Sequence, residues 1–256
     1  MPSGSLSSRV RAGESLLGCF LTWPTAGLAE LAALAGIDFL VLDMEHGFFS
    51  IESVEAMVIA GDAAGIPAIV RVPSCNAPET SRCLDAGAAG LLFPRADGLS
   101  AVRAAIASAR YPPQGRRGLG GVRANRFGTI PFDRHIAEAN ASSLLAAQIE
   151  TPEALAELSA ISREEALDVL FVGPNDLTQA LGKPGRFDDP GYREALTQIA
   201  GAAREAGKAA GIMLARREQI SPLQEAGFRF FTVSDRTLLL ESGRAWRAAV
   251  TRPPGA

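Results

Sequence analysis

Phe39-Leu40-Val41-Leu42-Asp43-Met44-Glu45-His46-Gly47 is the stretch on which the reading of this chain turns. Four uninterrupted apolar residues describe a strand covered on both faces, as in a parallel sheet flanked by helices. Two acids, one of the chain's two histidines and a glycine follow at once. Folding alone gives little reason to place such groups at the end of a buried strand. They suit the mouth of a parallel barrel, where strand ends carry the working residues. There Asp43 can hold one nitrogen of the His46 ring and leave the other free to move a proton. A histidine satisfied only structurally is the competing reading.

Outward from this strand the chain repeats a βα rhythm. Strands are expected at 16–23, 68–72, 90–94, 144–150, 167–172, 209–214 and 228–233. Helices are expected at 27–35, 51–64, 79–86, 100–109, 192–206 and 238–250, with another opening at Pro152. Gly65 stops the second helix. Eight short apolar strands alternating with helices in 256 residues predict an α/β fold, a (β/α)8 TIM barrel forming one domain over 1–256. Residues 1–14 are expected to be a polar N-terminal segment. A doubly wound open sheet is the runner-up. No nucleotide is expected, because Gly118-Leu119-Gly120-Gly121 follows no strand and Arg123 stands where a third glycine would be needed. The segment 111–131, with Arg116, Arg117, Arg123 and Arg126 among glycines, reads as a surface loop or lid.

Bulk properties exclude several partners. A net charge of -3 with 21% charged residues gives no electrostatic case for nucleic acid or an anionic membrane surface. No apolar run reaches about 18 residues, and the start lacks the apolar core of a signal peptide. Three cysteines, Cys19, Cys75 and Cys83, are too few and too odd for a disulfide framework, so a cytoplasmic location is expected.

Reading the strand ends collects the chemistry: Asp43, Glu45, His46, Arg71, Gln148, Glu150, Asn175 and Asp176. Glu150 and Asp176, two carboxylates with positions to spare, suit a hard divalent metal, Mg²⁺ or Mn²⁺ with Co²⁺ as a third candidate. Alternatively both cap helices. Arg71 ends a Val/Ile strand, where a guanidinium requires an anion or an acid; it grips a substrate oxygen or pairs with Asp43 or Glu45. His135 reads as surface. The only lysines, Lys183 in a Gly-rich loop and Lys208 before the seventh strand, are both misplaced for a Schiff base.

The motifs Asp43-x-Glu45-His46-Gly47, Val70-Arg71-Val72-Pro73, Tyr111-Pro-Pro-x-Gly115-x-Arg117-Gly118, Gln148-Ile-Glu150-Thr151 and Gly173-Pro174-x-Asp176-Leu177 stand in one order over roughly 16–240. In this the chain resembles the HpcH/HpaI aldolases, metal-dependent class II pyruvate aldolases. The resemblance implies Glu150 and Asp176 as metal ligands, His46 as base oriented by Asp43, and Arg71 as the oxyanion group. It implies substrate contacts from Gln148 and the Pro174-Asn175-Asp176 backbone, with Asp85 near the active-site entrance of a neighbouring subunit. It also implies a homohexamer, a trimer of dimers with the C-terminal helix exchanged. The expected reaction is reversible cleavage of a 4-hydroxy-2-oxo acid to pyruvate or hydroxypyruvate plus an aldehyde. An acyl-CoA ester lyase of the malyl-CoA or citramalyl-CoA type is the alternative, and a non-catalytic keto-acid-binding barrel a distant one. The chain departs from the family pattern at Ser74-Cys75-Asn76, Asn175 and Thr232-Val-Ser234-Asp235, positions that bear on which aldehyde and keto acid fit.

Overall fold

The structure, a computed structural model, describes residues 4–76 and 78–251. Eight parallel strands close on themselves in sequence order. They are β1 (Leu16–Leu21), β2 (Phe39–Asp43), β3 (Ala68–Arg71), β4 (Gly90–Phe93), β5 (Leu144–Gln148), β6 (Val169–Val172), β7 (Ala209–Met213) and β8 (Phe228–Ser234). Parallel pairing of β8 with β1, Gly18 opposite Thr232, leaves no open edge. This is the (β/α)8 barrel that the strand rhythm predicts, and the doubly wound sheet is excluded.

Helices α1 (Leu6–Arg11), α2 (Ala26–Leu34), α3 (Ile51–Ala64), α4 (Glu79–Asp85), α5 (Leu99–Ala109) and α6 (Phe132–Ser142) precede β5. After it come α7 (Pro152–Ala156), α8 (Leu158–Ser162), α9 (Pro174–Ala180), α10 (Pro190–Glu205), α11 (Ile220–Glu225) and α12 (Asp235–Thr251). Gly65 ends α3 in the left-handed region, φ 73°, as a C-terminal glycine should.

Two apolar layers follow from strand alternation. Phe39, Val41, Ile69, Leu92, Phe171 and Phe230 fill the barrel interior, whereas Leu40, Leu42, Val70, Leu91 and Leu170 pack outward against the helices. Such interior filling makes the barrel a core rather than a pore.

Three expectations need correction. The polar segment expected at 1–14 is, over the described residues 4–14, not merely a tail: Ser5 caps α1 by accepting from the Ser8 amide, and Leu6 and Val10 join the interior cluster. A four-residue spacing over one short helix is too brief to stand out among serines. His135 is buried, its Nε2 3.2 Å from the Tyr111 hydroxyl. The 111–131 segment is not wholly surface either. Arg117 is 5% exposed, lies 4.5 Å over the Tyr111 ring and donates to Asp85 at 2.6 Å. Stacking on a ring and pairing with an acid meet the two requirements of a buried guanidinium.

The last helix differs from the rest. None of the α12 residues is buried, and Leu239, Trp246 and Val250 are at least 72% exposed. Among the described residues no helix is long and apolar enough to cross a membrane.

Candidate active site

The C-terminal ends of β2 and β3 build the first half of the site. Parallel register puts Arg71 directly beside Asp43. Arg71 Nε donates to Asp43 Oδ1 at 2.9 Å and Nη2 to Oδ2 at 2.7 Å, a two-pronged fork that matches the carboxylate plane. Asp43 Oδ1 also accepts the backbone amides of Glu45 and His46, each at 3.1 Å. Burial raises the Asp43 pKa, but Arg71's bonds and charge outweigh it and hold the carboxyl below its usual range. The remaining arm of the fork, Nη1, lies 3.1 Å from Glu45 Oε2 without hydrogen-bond alignment. Below it the Phe20 ring sits 4.9 Å from the guanidinium carbon.

Asp43 therefore serves a different partner from the one its sequence position suggests. Its bonds run to Arg71 and to the His46 backbone, none to the His46 ring. The imidazole is exposed at the rim. The structural pairing weighed for Arg71 is realised, with both acids.

The second half comes from β4, β5 and β6. Glu150 lies two residues beyond β5 and is 2% exposed. Its Oε1 accepts the Arg95 backbone amide at 2.8 Å, and its Oε2 accepts Gln148 Nε2. Burial pushes the Glu150 carboxyl up to about 7; those two donors pull it down, while Asp176 and Glu45 push it further up. Glu45 is raised as well, chiefly by burial. Asp176 sits in the first turn of α9, following buried Pro174 and exposed Asn175. The amide end of a helix favours a carboxylate there.

Glycine at 173 is what lets this half close. Its backbone is unstrained, φ -89°, yet an added Cβ would collide with Glu150 Oε2 and crowd Gln148 Nε2. The residue is needed for space, not for conformation.

A hard cation fits this donor set. Glu150 is buried, oriented on both oxygens by neutral donors, and faces other acids; Gln148 Oε1 is buried without a hydrogen-bond partner. Among the described residues Glu150 is in no ion pair, and no group of three or more His, Cys, Asp and Glu is arranged to hold a metal. What remains is two carboxylates, Glu150 and Asp176, an oxygen-only pair suited to Mg²⁺ or Mn²⁺ with further positions open.

Not every candidate joins this mouth. Asp85 is the last residue of α4, on the stretch leading into the start of β4, and pairs with Arg117. Lys208 precedes β7 and gives Nζ to the carbonyls of Glu164 (2.9 Å) and Leu167 (2.6 Å); Lys183 is an exposed partner of Asp189. Cys75 is buried, its thiol on the Ala101 carbonyl and raised by burial to about 11. Two contributors escaped the sequence reading. Gly173 was visible in its motif but had no side chain to suggest a role. Arg95 acts through its amide, which leaves no trace in residue type beyond a position just after a strand end.

A closed parallel barrel that gathers acids, an arginine and a histidine at the C-terminal ends of its strands defines a (β/α)8 barrel with a candidate active site at that mouth. Comparison with known proteins narrows the class. The pattern described as "HpcH/HpaI aldolase/citrate lyase" matches residues 16–237, and the chain belongs to that family. A 4-hydroxy-2-oxovalerate aldolase of Novosphingobium aromaticivorans is 34% identical over 99% of this chain and 98% of its own. A hydroxypyruvate/pyruvate aldolase of Sagittula stellata is 33% identical over 97% and 98%. The crystal structure of an HpcH/HpaI aldolase/citrate lyase family protein from Burkholderia cenocepacia superposes with a TM-score of 0.90. It is 34% identical, covering 96% of this chain and 99% of that one.

Proposed function

We propose that this carbon–carbon lyase reversibly cleaves a 4-hydroxy-2-oxo acid to pyruvate or hydroxypyruvate plus an aldehyde, with Glu150 and Asp176 holding a divalent cation. The observation that carries the reading is Glu150: a buried acid, fixed on both oxygens by neutral donors, near Asp176 and Glu45. It is in no ion pair among the described residues, the nearby Arg71 being already paired with Asp43 and Glu45. Folding alone does not favour such a group. When bound, the cation supplies Lewis-acid stabilisation for the negative charge that bond cleavage leaves on the keto acid.

The chain's own residues do the rest. Asp43 and Glu45 anchor Arg71, so its guanidinium is oriented before substrate arrives and stabilises charge on the keto-acid oxygen without reorganising. The exposed His46 ring, with its backbone pinned by Asp43, takes the proton of the 4-hydroxyl in cleavage. In condensation it takes the proton from the methyl carbon of pyruvate. Gln148 Oε1 is left to accept from substrate or water, and the Pro174–Asp176 turn frames the keto acid. The aldehyde is selected by the groups beyond this frame, among them Asn175 and the 74–76 turn.

The enzyme acts as a cytoplasmic homo-oligomer, a hexamer in this reading, with α12 exchanged between subunits. Exposed Leu239, Trp246 and Val250 on a helix without buried residues support that, and Asp85 then faces a neighbour's mouth. Light scattering on the purified chain tests the assembly. For the reaction, EDTA-treated enzyme should lose turnover and regain it with Mn²⁺ or Mg²⁺. Exchange of the pyruvate methyl protons in D₂O, followed by NMR with Mg²⁺, should proceed in the wild type. Activity that survives complete metal removal defeats the proposal.

A further inference from the structure

Arg95 stands just past β4 with φ 46°, one of three non-glycine residues in the left-handed region among the described residues. For a side-chain-bearing residue this backbone costs on the order of 1 kcal/mol. Contacts of the Arg95 side chain do not repay that cost. The Arg95 side chain is 65% exposed, and its ion partner at 3.6 Å is Asp97, itself 39% exposed. Such a pair contributes little.

The backbone tells another story. The left-handed residue turns its own amide onto Glu150 Oε1, 2.8 Å away. Neighbouring amides lock the same turn: Ala96 donates to the Gln148 carbonyl at 3.2 Å, Asp97 to the Arg95 carbonyl at 2.7 Å and Gly98 to the Ala96 carbonyl at 2.7 Å. One turn thus ties the end of β4 to Gln148 and Glu150 together. Gln148 Nε2 holds the other carboxylate oxygen, so Glu150 has no free rotation left about its last bond. We infer that Arg95 is a positioning residue: the strained turn aims its amide at Glu150 and presents that carboxylate in the orientation that receives the cation.

The inference rests on Glu150 being a cation ligand, and its test separates the two. Backbone substitution removes only the donor. A lysine derivative and its α-hydroxy counterpart would be placed at position 95, giving amide and ester proteins with one side chain. Mn²⁺ binding is then measured by electron paramagnetic resonance without substrate. The ester should bind Mn²⁺ about tenfold more weakly than the amide control, the range found when an outer partner of a metal ligand is lost. Equal affinity overturns the inference. Should the ester protein fail to fold, Arg95→Val carries the test, because a β-branched side chain resists a left-handed φ while keeping the amide. Weaker Mn²⁺ binding in a variant with unchanged circular dichroism supports the inference; wild-type affinity overturns it. Glu150→Gln runs alongside: if it binds Mn²⁺ as wild type does, the cation reading itself has failed, whatever the ester shows.

Discussion

Two buried acids, one at each end of the barrel, show what folding needs and what function adds. Asp168, just before β6, is 5% exposed and accepts Arg11 at 2.8 Å and the Leu145 amide at 3.0 Å. Asp38 before β2 is treated alike, by Arg9 at 2.7 Å and the Leu17 amide at 2.9 Å. Glu150, at the other end, also accepts a backbone amide, but its second donor is a neutral glutamine. Asp176 and Glu45 lie near it, and the one nearby guanidinium, Arg71, is spent on Asp43 and Glu45. At the N-terminal end both of these acids, buried Asp168 and half-buried Asp38, meet a cation the chain supplies. At the C-terminal mouth Glu150 is in no ion pair among the described residues, and in the proposed reading a cation from outside answers it. A buried charge without a counter-charge costs stability, and an active site is where such a cost is retained.

The largest expected effect falls on that unmatched acid. Glu150→Gln should lower turnover by about a thousandfold, the scale of a lost metal contribution of several kcal/mol. The same change should leave the metal-free protein at least as resistant to heat as the wild type, because it removes a buried charge that is in no ion pair among the described residues. Calorimetry with and without Mn²⁺ reads both sides. A metal-free variant that melts well below the wild type would break the contrast drawn above.

Arg71→Ala comes next. It removes a preoriented donor and strands Asp43 and Glu45, so turnover should fall by a hundred- to a thousandfold, about the range for one oxyanion donor. His46→Ala should cost about a hundredfold, the lower range for a general base. Its backbone amide, which Asp43 holds, is retained, so the fold should be undisturbed. Steady-state rates of pyruvate release check both; wild-type rates in either remove that residue from the mechanism. Gly173→Ala is subtler. The new Cβ must displace the Glu150 carboxylate or the Gln148 amide, and Mn²⁺ affinity should drop about tenfold. Unchanged affinity would mean that Glu150 need not sit where it does.

How much of this could be read from residues alone follows from the range of each interaction. The barrel was open to view because a both-face-buried strand writes itself as a short run such as Phe39–Leu42, and eight runs spaced by helices admit few topologies. The acids were open to view too, since a carboxylate just past an apolar run has few reasons to be there. What stayed hidden was set by contacts distant in sequence. Asp43 looked like the partner of a histidine three residues on, but sheet register delivers Arg71 from 28 residues away, and a charged fork outcompetes an imidazole. His135 reads as exposed in its polar helix, but Tyr111, 24 residues earlier, covers it. The Arg95 amide is invisible in any residue type.

The smallest effect on turnover, and the sharpest control, belongs to Asp168→Asn. Asparagine keeps an oxygen for the Leu145 amide but loses the charge that Arg11 answers. Arg11 is half exposed, with 51% of its side chain reached by solvent, so water takes up much of what it loses. The destabilisation should therefore be about 1–2 kcal/mol, near the cost of one charged hydrogen bond and below that of a fully buried pair. Turnover at 25 °C should stay at the wild-type level, because the site is built at the opposite ends of the strands. Glu150→Gln and Asp168→Asn each replace a buried carboxylate with its amide, so chemistry alone predicts like effects. Opposite ones, activity lost at one end and stability at the other, are expected only if the chain neutralises one acid itself and leaves the other for a cation.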